Sequence, residues 1–244
     1  MYKSRCVITE DEKQVFQAGI TYLEKNPLLH IAMLESIRRN QAQMISSSKH
    51  GMLMLDRASN VHMVSADSDQ YGRALVDQIK NPYQMVVCQE SVADYAEEKF
   101  GLHDVFRCKK VAYFKGERVP LSSDLAIIRP DAATLQIVKD HYHTIPEAEI
   151  DEINRRGNLF CAFHGDDFVG FSGNHLDGSL GLLEIFPAFH RQGFGEQLER
   201  FMINYILDKG DTPYGEIVIG NEASARLQQK LGFEISKETI TWLL

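Results

Sequence analysis

The chain has 244 residues with the hydrophobic and charged fractions of a folded protein, long enough for one large domain or two ordinary ones. No apolar run approaches the roughly 20 residues that span a bilayer, and the N-terminal residues lack the apolar core of a signal peptide. The net charge of −8 resides in residues 125–244, which hold 10 basic and 18 acidic residues. This acidity argues against nucleic acid as a partner, and suits either solubility or a cationic amine substrate.

The first half of the chain predicts an α/β domain over residues 1–120. Helical periodicity covers residues 11–45, and Asn26-Pro27 divides it into two helices, the second beginning close to Pro27. Apolar runs predict strands, and amphipathic runs predict helices. This half contains no glycine-rich phosphate loop. The expected strands are 51–55, 60–64, 84–88 and 108–114, and the expected helices are 71–80 and 92–100.

Residues 116–124 are rich in turn formers and predict a linker to a second domain over residues 125–244. The second domain is expected to alternate strands and helices around a hairpin, and Asn221 is expected to cap its last helix. The expected strands are 125–129, 158–163, 168–174, 182–186, 214–219 and 234–244, and the expected helices are 131–142, 146–156, 193–209 and one after Asn221.

The stretch from Leu182 to Leu198 carries the most specific signal. An apolar strand passes through Pro187 into Gly193-Phe194-Gly195, which opens an amphipathic helix. The first amides of a helix and the positive end of its dipole bind anions, and glycine lets a phosphate approach the backbone. Other nucleotide-binding folds fit poorly, because no GxxxxGK[ST] occurs and Leu198 stands where GxGxxG needs its third glycine.

Two motifs in the second half resemble those of the GNAT superfamily of acyl-CoA-dependent N-acyltransferases. His190–Gly195 resembles the cofactor motif Arg/Gln-x-x-Gly-x-Gly/Ala, and Asn221–Ser224 followed by Gly232-Phe233 resembles a later motif. The resemblance implies a mixed α/β (α+β) fold with a mostly antiparallel central sheet flanked by helices. The N-terminal half resembles the degenerate half of tandem members, with an unrelated α/β domain as the alternative.

The resemblance also implies acetyl-CoA as co-substrate and no metal. The pyrophosphate is expected on the amides of the glycine turn, the pantetheine arm along the preceding strand, and the later motif on its other side. The amide near Ile185 is expected to polarise the thioester carbonyl. The residues expected to bind coenzyme A are Ile185, Phe186, Arg191, Gln192, Gly193, Phe194, Gly195, Glu196, Asn221 and Ser224.

Glu184 is the candidate catalytic base, because strand alternation places it on one face with Leu182 and Phe186. The alternative is a strand-edge carboxylate that faces water or pairs with a basic residue. His141–His143 lies where the family often forms its acceptor-binding wall, although an ordinary helix end is also compatible. Many members place a tyrosine as general acid where this chain has Gln228, so either water or another residue supplies the proton, or activity is slow.

The expected function is transfer of an acetyl or short acyl group to a primary amine of a small molecule or peptide. The alternative is an acyl-CoA sensor or interaction module that keeps the fold with little turnover. We expect a cytoplasmic monomer or homodimer without nucleic-acid or membrane partners. The four cysteines are far apart without a CxxC pair, which indicates reduced thiols and neither a zinc site nor a disulfide framework.

Overall fold

The computed structural model of the chain describes residues 10–122 and 124–244. Its α-helices and β-strands follow one another in an order that mixes both types throughout. In chain order they are α1 (Glu10–Leu23), α2 (Ile31–Arg38), β1 (Ala42–Ser48), β2 (Gly51–Asp56), β3 (Val61–Ala66), α3 (Asp69–Val76), β4 (Gln84–Val87), α4 (Glu90–Phe100), β5 (Val105–Ala112), β6 (Ala126–Ile128), α5 (Ala132–His141), α6 (Glu147–Arg155), β7 (Leu159–His164), β8 (Asp167–Asn174), β9 (Leu180–Ile185), α7 (Phe194–Asp208), β10 (Tyr214–Val218), α8 (Glu222–Leu231), β11 (Glu234–Ile235) and β12 (Ile240–Leu243).

The structure divides into two compact units. The first is Met1–Cys108 with Lys237–Leu244, and the second is Lys109–Ser236. These units differ from the predicted domains 1–120 and 125–244 in two respects: the division precedes the predicted linker, and the last strand belongs to the first unit. The reason is strand pairing, since β12 pairs with the beginning of β5 in the first unit while β11 pairs with its end in the second.

The first unit contains a sheet in the order β1-β2-β3-β4-β12-β5, in which only the β3–β4 pair is parallel among the described strands. Helices α3 and α4 cover one face, where Leu75 and Val92 join Leu53, Val64 and Val87 of the strands in a buried core. Gly72 has no β-carbon, which lets α3 approach Val92 of α4, because a β-carbon there would lie 2.5 Å from the valine.

The second unit contains a sheet in the order β5-β10-β9-β8-β7-β6, antiparallel from β6 to β9 and parallel between β9 and β10. Alternate residues of β7 face opposite layers, as the two-residue period of a strand requires. Cys161 packs with Val138 of α5 and Ile150 of α6, whereas Ala162 packs with Leu198 of α7. The sheet is therefore sandwiched between α5–α6 and α7.

Most expected elements of the second half are present, including the hairpin of β7 and β8, the long helix α7 and the helix that Asn221 caps. Two expectations in the first half are wrong. The helical run was expected to reach residue 45, but β1 begins at Ala42, and α2 begins at Ile31 rather than close to Pro27. Within the described residues, no helix is both long and apolar enough to cross a membrane.

Candidate functional site

A cavity of about 220 Å³ lies in the second unit where β9 and β10 part. These parallel strands share one registered pair, Leu180 with Gly215. Residues 180–183 of β9 and Gly215 and Glu216 of β10 form two walls. Helices α7 and α8 and the end of α5 contribute the side chains of the remaining wall, among them Tyr142, Glu199, Asn221, Ser224 and Gln228.

A β-bulge deforms β9 at this cavity. The register between β8 and β9 shifts between Phe171 and Gly173, and Leu182 adopts a positive φ of 52°. Such a conformation is uncommon for residues other than glycine, and bulges often lie beside active sites because they redirect side chains. Leu182 remains buried. The bulge therefore interrupts the β8–β9 ladder at residues of β9 that line the cavity.

The end of β9 offers one backbone amide to the open side of the sheet. The Phe186 N–H donates to Val169 O of β8 at 2.9 Å, and Phe186 O accepts from Phe189 N–H at 2.8 Å. Successive amides of a strand point in opposite directions, so the Ile185 N–H points away from β8. The Ile185 carbonyl accepts from Nε2 of His190 at 2.6 Å. Sequence reasoning expected backbone contacts from both residues, but both backbone groups of Phe186 are already bonded within the protein.

The turn before α7 holds its backbone in a conformation that glycine favours. Gly193 has φ 84° and Arg191 has φ 61°. The intrahelical ladder begins with Gln197 N–H bonded to Gly193 O at 3.1 Å, so the amides of Phe194–Glu196 precede it. A β-carbon at Gly193 would meet nothing within 4 Å. The turn thus has open space above it and helix N-terminal amides directed at that space.

Gly195 and Glu196 follow this turn, in the first turn of α7. A β-carbon at Gly195 would lie 3.5 Å from the Ile185 side chain, an ordinary van der Waals distance, so α7 lies against the end of β9 at this residue. The Glu196 carboxylate accepts hydrogen bonds from Lys230 at 2.5 Å and Arg200 at 2.9 Å, and these partners lower its pKa. The negative charge beside the helix N-terminus is thereby compensated by two basic side chains.

Asn221 and Ser224 lie on the α8 side of the cavity. The Asn221 Oδ1 accepts from the Ser224 amide at 3.0 Å, which is the N-cap expected from the sequence. Both residues line the cavity as well. The two residues of the later motif therefore stabilise the beginning of α8 and face the same space as β9.

Glu184 lies on the opposite face of β9 from α7, beside the end of α5. His141 Nδ1 is 3.5 Å from Glu184 Oε1, with the two side chains 45% and 31% exposed. The His141 ring also packs on Phe186 with centroids 4.6 Å apart. Of the tripeptide His141–His143, the first residue thus contacts the candidate base, the second lines the cavity, and His143 is exposed. A half-open carboxylate beside an imidazole is suited to accepting a proton from an incoming amine.

Sequence reasoning missed Glu199, which lies on α7 within the cavity wall. It is 5% exposed and accepts a hydrogen bond from Nε2 of Gln228 at 2.5 Å. Burial raises the pKa of Glu199 to about 7, and the Gln228 hydrogen bond opposes this rise. A sequence signal exists, because Glu199 precedes the buried Met202 and Ile203 by three and four residues and so occupies an inward position of the helix.

Part of the chain matches a known protein family, and solved structures share its fold. The family described as FR47-like protein matches residues 172–243. A Drosophila protein from a structural genomics programme is similar over 95% of this chain and 96% of its own, with a TM-score of 0.68 and 15% identity. No curated protein matches the chain.

Two bacterial structures are similar as well. A GCN5-related N-acetyltransferase-like protein from Streptococcus suis has a TM-score of 0.54 and 14% identity, covering 92% of this chain and 99% of its own. A GCN5-related N-acetyltransferase from Kribbella flavida has a TM-score of 0.53 and 12% identity, covering 88% and 94%. The resemblance that the two sequence motifs indicate is therefore confirmed, and the chain has the fold of the GNAT superfamily.

Proposed function

We propose that the second unit is an N-acyltransferase that moves an acetyl or short acyl group from coenzyme A to a primary amine of a small molecule or peptide. The observation that carries this proposal is the cavity between β9 and β10, in the same unit as a glycine turn at the N-terminus of α7. The residues fit such a co-substrate, because helix N-terminal amides suit phosphates and the open space above Gly193 admits them.

In this proposal each group of residues has a separate task. The amides of Gln192–Glu196, with the Arg191 side chain, bind the pyrophosphate. The cavity wall of β9 and the residues Asn221 and Ser224 hold the pantetheine arm. The Ile185 N–H donates to the carbonyl oxygen of the acyl group, where negative charge develops during transfer.

Glu184 acts as the base in this proposal. It accepts a proton from the acceptor ammonium, and the freed nitrogen lone pair forms the C–N bond. The C–S electron pair leaves with sulfur, which takes up a proton, and the nitrogen loses its second proton. The products are an amide, a thiol and one proton released to water, so the chain needs no covalent intermediate of its own. His141 is placed to relay the proton from Glu184 to solvent, since its side chain is partly exposed.

Release of free thiol from acetyl-CoA over a panel of primary amines tests this function. We expect amine-dependent release at a steady rate that follows enzyme concentration. Binding of acetyl-CoA without release over the whole panel would instead support the sensor or interaction module. Absence of acetyl-CoA binding in calorimetry would contradict both functions.

The phosphate turn gives a matched pair of variants. Gly193→Ala forces a non-glycine residue into a left-handed conformation, which costs about 1–2 kcal/mol, and it disturbs the turn. Gly210→Ala imposes the same kind of strain at φ 75°, also in open space, but at the other end of α7. We expect both to lower stability similarly and only Gly193→Ala to weaken acetyl-CoA binding, by about tenfold in calorimetry. Equal affinities for the two variants would contradict the assignment of the turn.

Asn221 offers a second separation of stability from binding. Asn221→Ala removes the cap of α8 and is expected to cost about 1 kcal/mol of stability. Asn221→Asp preserves the cap but replaces the amide donor with a charged acceptor in the cavity wall. We expect Asn221→Asp to retain its melting temperature and to bind acetyl-CoA more weakly than the wild type. Unchanged affinity in both variants would exclude Asn221 from the cofactor site.

A further inference from the structure

Two polar side chains face each other in the wall of the cavity. Glu199 of α7 is 5% exposed and Gln228 of α8 is 7% exposed, and both line the space between β9 and β10. The wall that β9 contributes to the same cavity includes the apolar residues Leu182 and Leu183. Burying a carboxyl group costs free energy unless it is neutral or well paired, so this placement needs a reason beyond packing.

The pair is incompletely satisfied in a way that points to the cavity. The Gln228 Nε2 donates to Glu199, but the Gln228 Oε1 is buried and has no hydrogen-bond partner among the described residues. Buried polar atoms are nearly always paired, and exceptions often mark functional sites. An acceptor without a donor, on the wall of a cavity, suits a ligand that brings an N–H or S–H group.

We propose that Glu199 is the general acid that gives a proton to the thiolate leaving group, and that Gln228 positions its carboxyl. This inference rests on the proposed acyl transfer. It identifies a residue of this chain that can donate the proton which the thiolate takes up. The position that carries a tyrosine in many GNAT members holds the amide side chain of Gln228 here.

The protonation state of Glu199 supports the assignment. Burial raises its pKa to about 7, so a large share of the carboxyl is protonated at neutral pH. A free thiol has a pKa of about 8.5, which makes proton transfer from this carboxyl to a thiolate favourable. The other ionisable groups of the wall are Tyr142 and Glu216, and Glu216 is paired with Lys110. Glu196, one turn before Glu199, is paired with Lys230 and Arg200.

The proton balance closes with two carboxyl groups. Glu184 takes the first proton of the ammonium and releases it to water. Glu199 gives its proton to sulfur as the C–S bond breaks, and the second proton lost by nitrogen replaces it. One turnover therefore consumes an ammonium and a thioester and yields an amide, a thiol and one proton, with Glu199 again protonated.

The experiment compares Glu199→Gln with the wild type in two measurements. The single-turnover rate with an accepted amine is expected to fall about 100-fold, a typical effect of losing a general acid, with acetyl-CoA affinity unchanged. Carbon-13 NMR of glutamate-labelled protein without ligand is expected to show one carboxyl that titrates near pH 7 and is missing in the variant. Glu234→Gln removes an exposed carboxyl of the same unit and is expected to change neither result.

The outcomes separate this inference from the proposed function. Wild-type turnover with a Glu199→Gln rate within threefold would overturn the acid and leave the acyltransferase intact. A Glu199 carboxyl that titrates near 4.5 would overturn it as well, whatever the rates. Absence of thiol release from the wild type in the presence of bound acetyl-CoA would reject the acyltransferase and the acid together.

The positioning role of Gln228 has its own readout. Gln228→Met removes the hydrogen bond that lowers the pKa of Glu199, so this pKa is expected to rise. The falling limb of the rate against pH should then move to higher pH, while a purely structural role would change stability and leave this limb in place.

Discussion

Glu184→Gln is expected to lower the rate of acyl transfer by about 10²–10⁴-fold, the range typical of a lost general base. The amide keeps the size of the side chain and cannot accept the ammonium proton. Acetyl-CoA affinity should be unchanged, because Glu184 faces His141 and does not line the cavity between β9 and β10. Pre-steady-state thiol release and calorimetry measure the two quantities separately.

Glu234→Gln is the control for this variant as well, since it removes an exposed carboxyl at a distance along the sheet from the proposed chemistry. A second check uses the amine itself. An acceptor that is already deprotonated at the working pH needs no base, so the deficit of Glu184→Gln should shrink as pH approaches the pKa of the amine. A deficit that stays constant across pH, or a loss of acetyl-CoA binding, would contradict the role of Glu184 as base.

The second large effect is on stability, and it comes from Glu199. Its pKa rises from an ordinary 4.5 to about 7 on folding. The unfolded chain therefore binds fewer protons between these values, and the free energy of unfolding falls as pH rises through this window. Each pKa unit corresponds to 1.36 kcal/mol, so the loss attributable to Glu199 is about 3 kcal/mol between pH 4.5 and pH 8.

Urea unfolding of the wild type and Glu199→Gln at pH 5 and pH 8 measures this contribution. The difference in unfolding free energy should change in favour of the variant as pH rises, because the amide does not titrate. Glu196→Gln provides a control that should stay flat between these two pH values: the pKa of Glu196 is lowered from an ordinary 4.5, so its contribution is present at both pH 5 and pH 8 and disappears only in stronger acid. A pH-independent difference between wild type and Glu199→Gln would show that Glu199 titrates normally.

Sequence periodicity predicts the second unit well because its elements are strongly patterned. The hairpin of β7 and β8 and the helix α7 carry clear alternation and a clear apolar stripe, and Asn221 is an evident cap. The sequence did not predict strand β1, because Ala42–Ser48 is rich in serine and half exposed, as an edge strand can be. Local sequence patterns do not indicate that the last strand, β12, pairs with β4 and β5.

The sequence predicts those features of the candidate site that depend on local backbone conformation better than those that depend on tertiary contacts. Gly193 precedes α7 and Asn221 caps α8 as the sequence predicts, and Glu184 lies beside His141, while the binding and catalytic roles of these residues stay predictions. The backbone groups of Phe186 are consumed by Val169 and Phe189, which only the register of β8 and β9 shows. The inward position of Glu199 on α7 is visible in the sequence, but its hydrogen bond with Gln228 depends on the α7–α8 contact, which the sequence does not show.

The similarity to known folds covers both units, while the glycine turn and the cavity lie in the second. We therefore assign the proposed chemistry to Lys109–Ser236 and retain the resemblance of the first half to a degenerate GNAT-like half as a proposal.

A crystal structure of the protein with coenzyme A tests the central claim most directly. We expect the pyrophosphate on the amides around Gly193, the pantetheine arm between β9 and β10, and the sulfur within hydrogen-bond reach of the Glu199 carboxyl. Coenzyme A bound elsewhere on the protein, or a sulfur that faces away from both Glu199 and Ile185, would contradict the account.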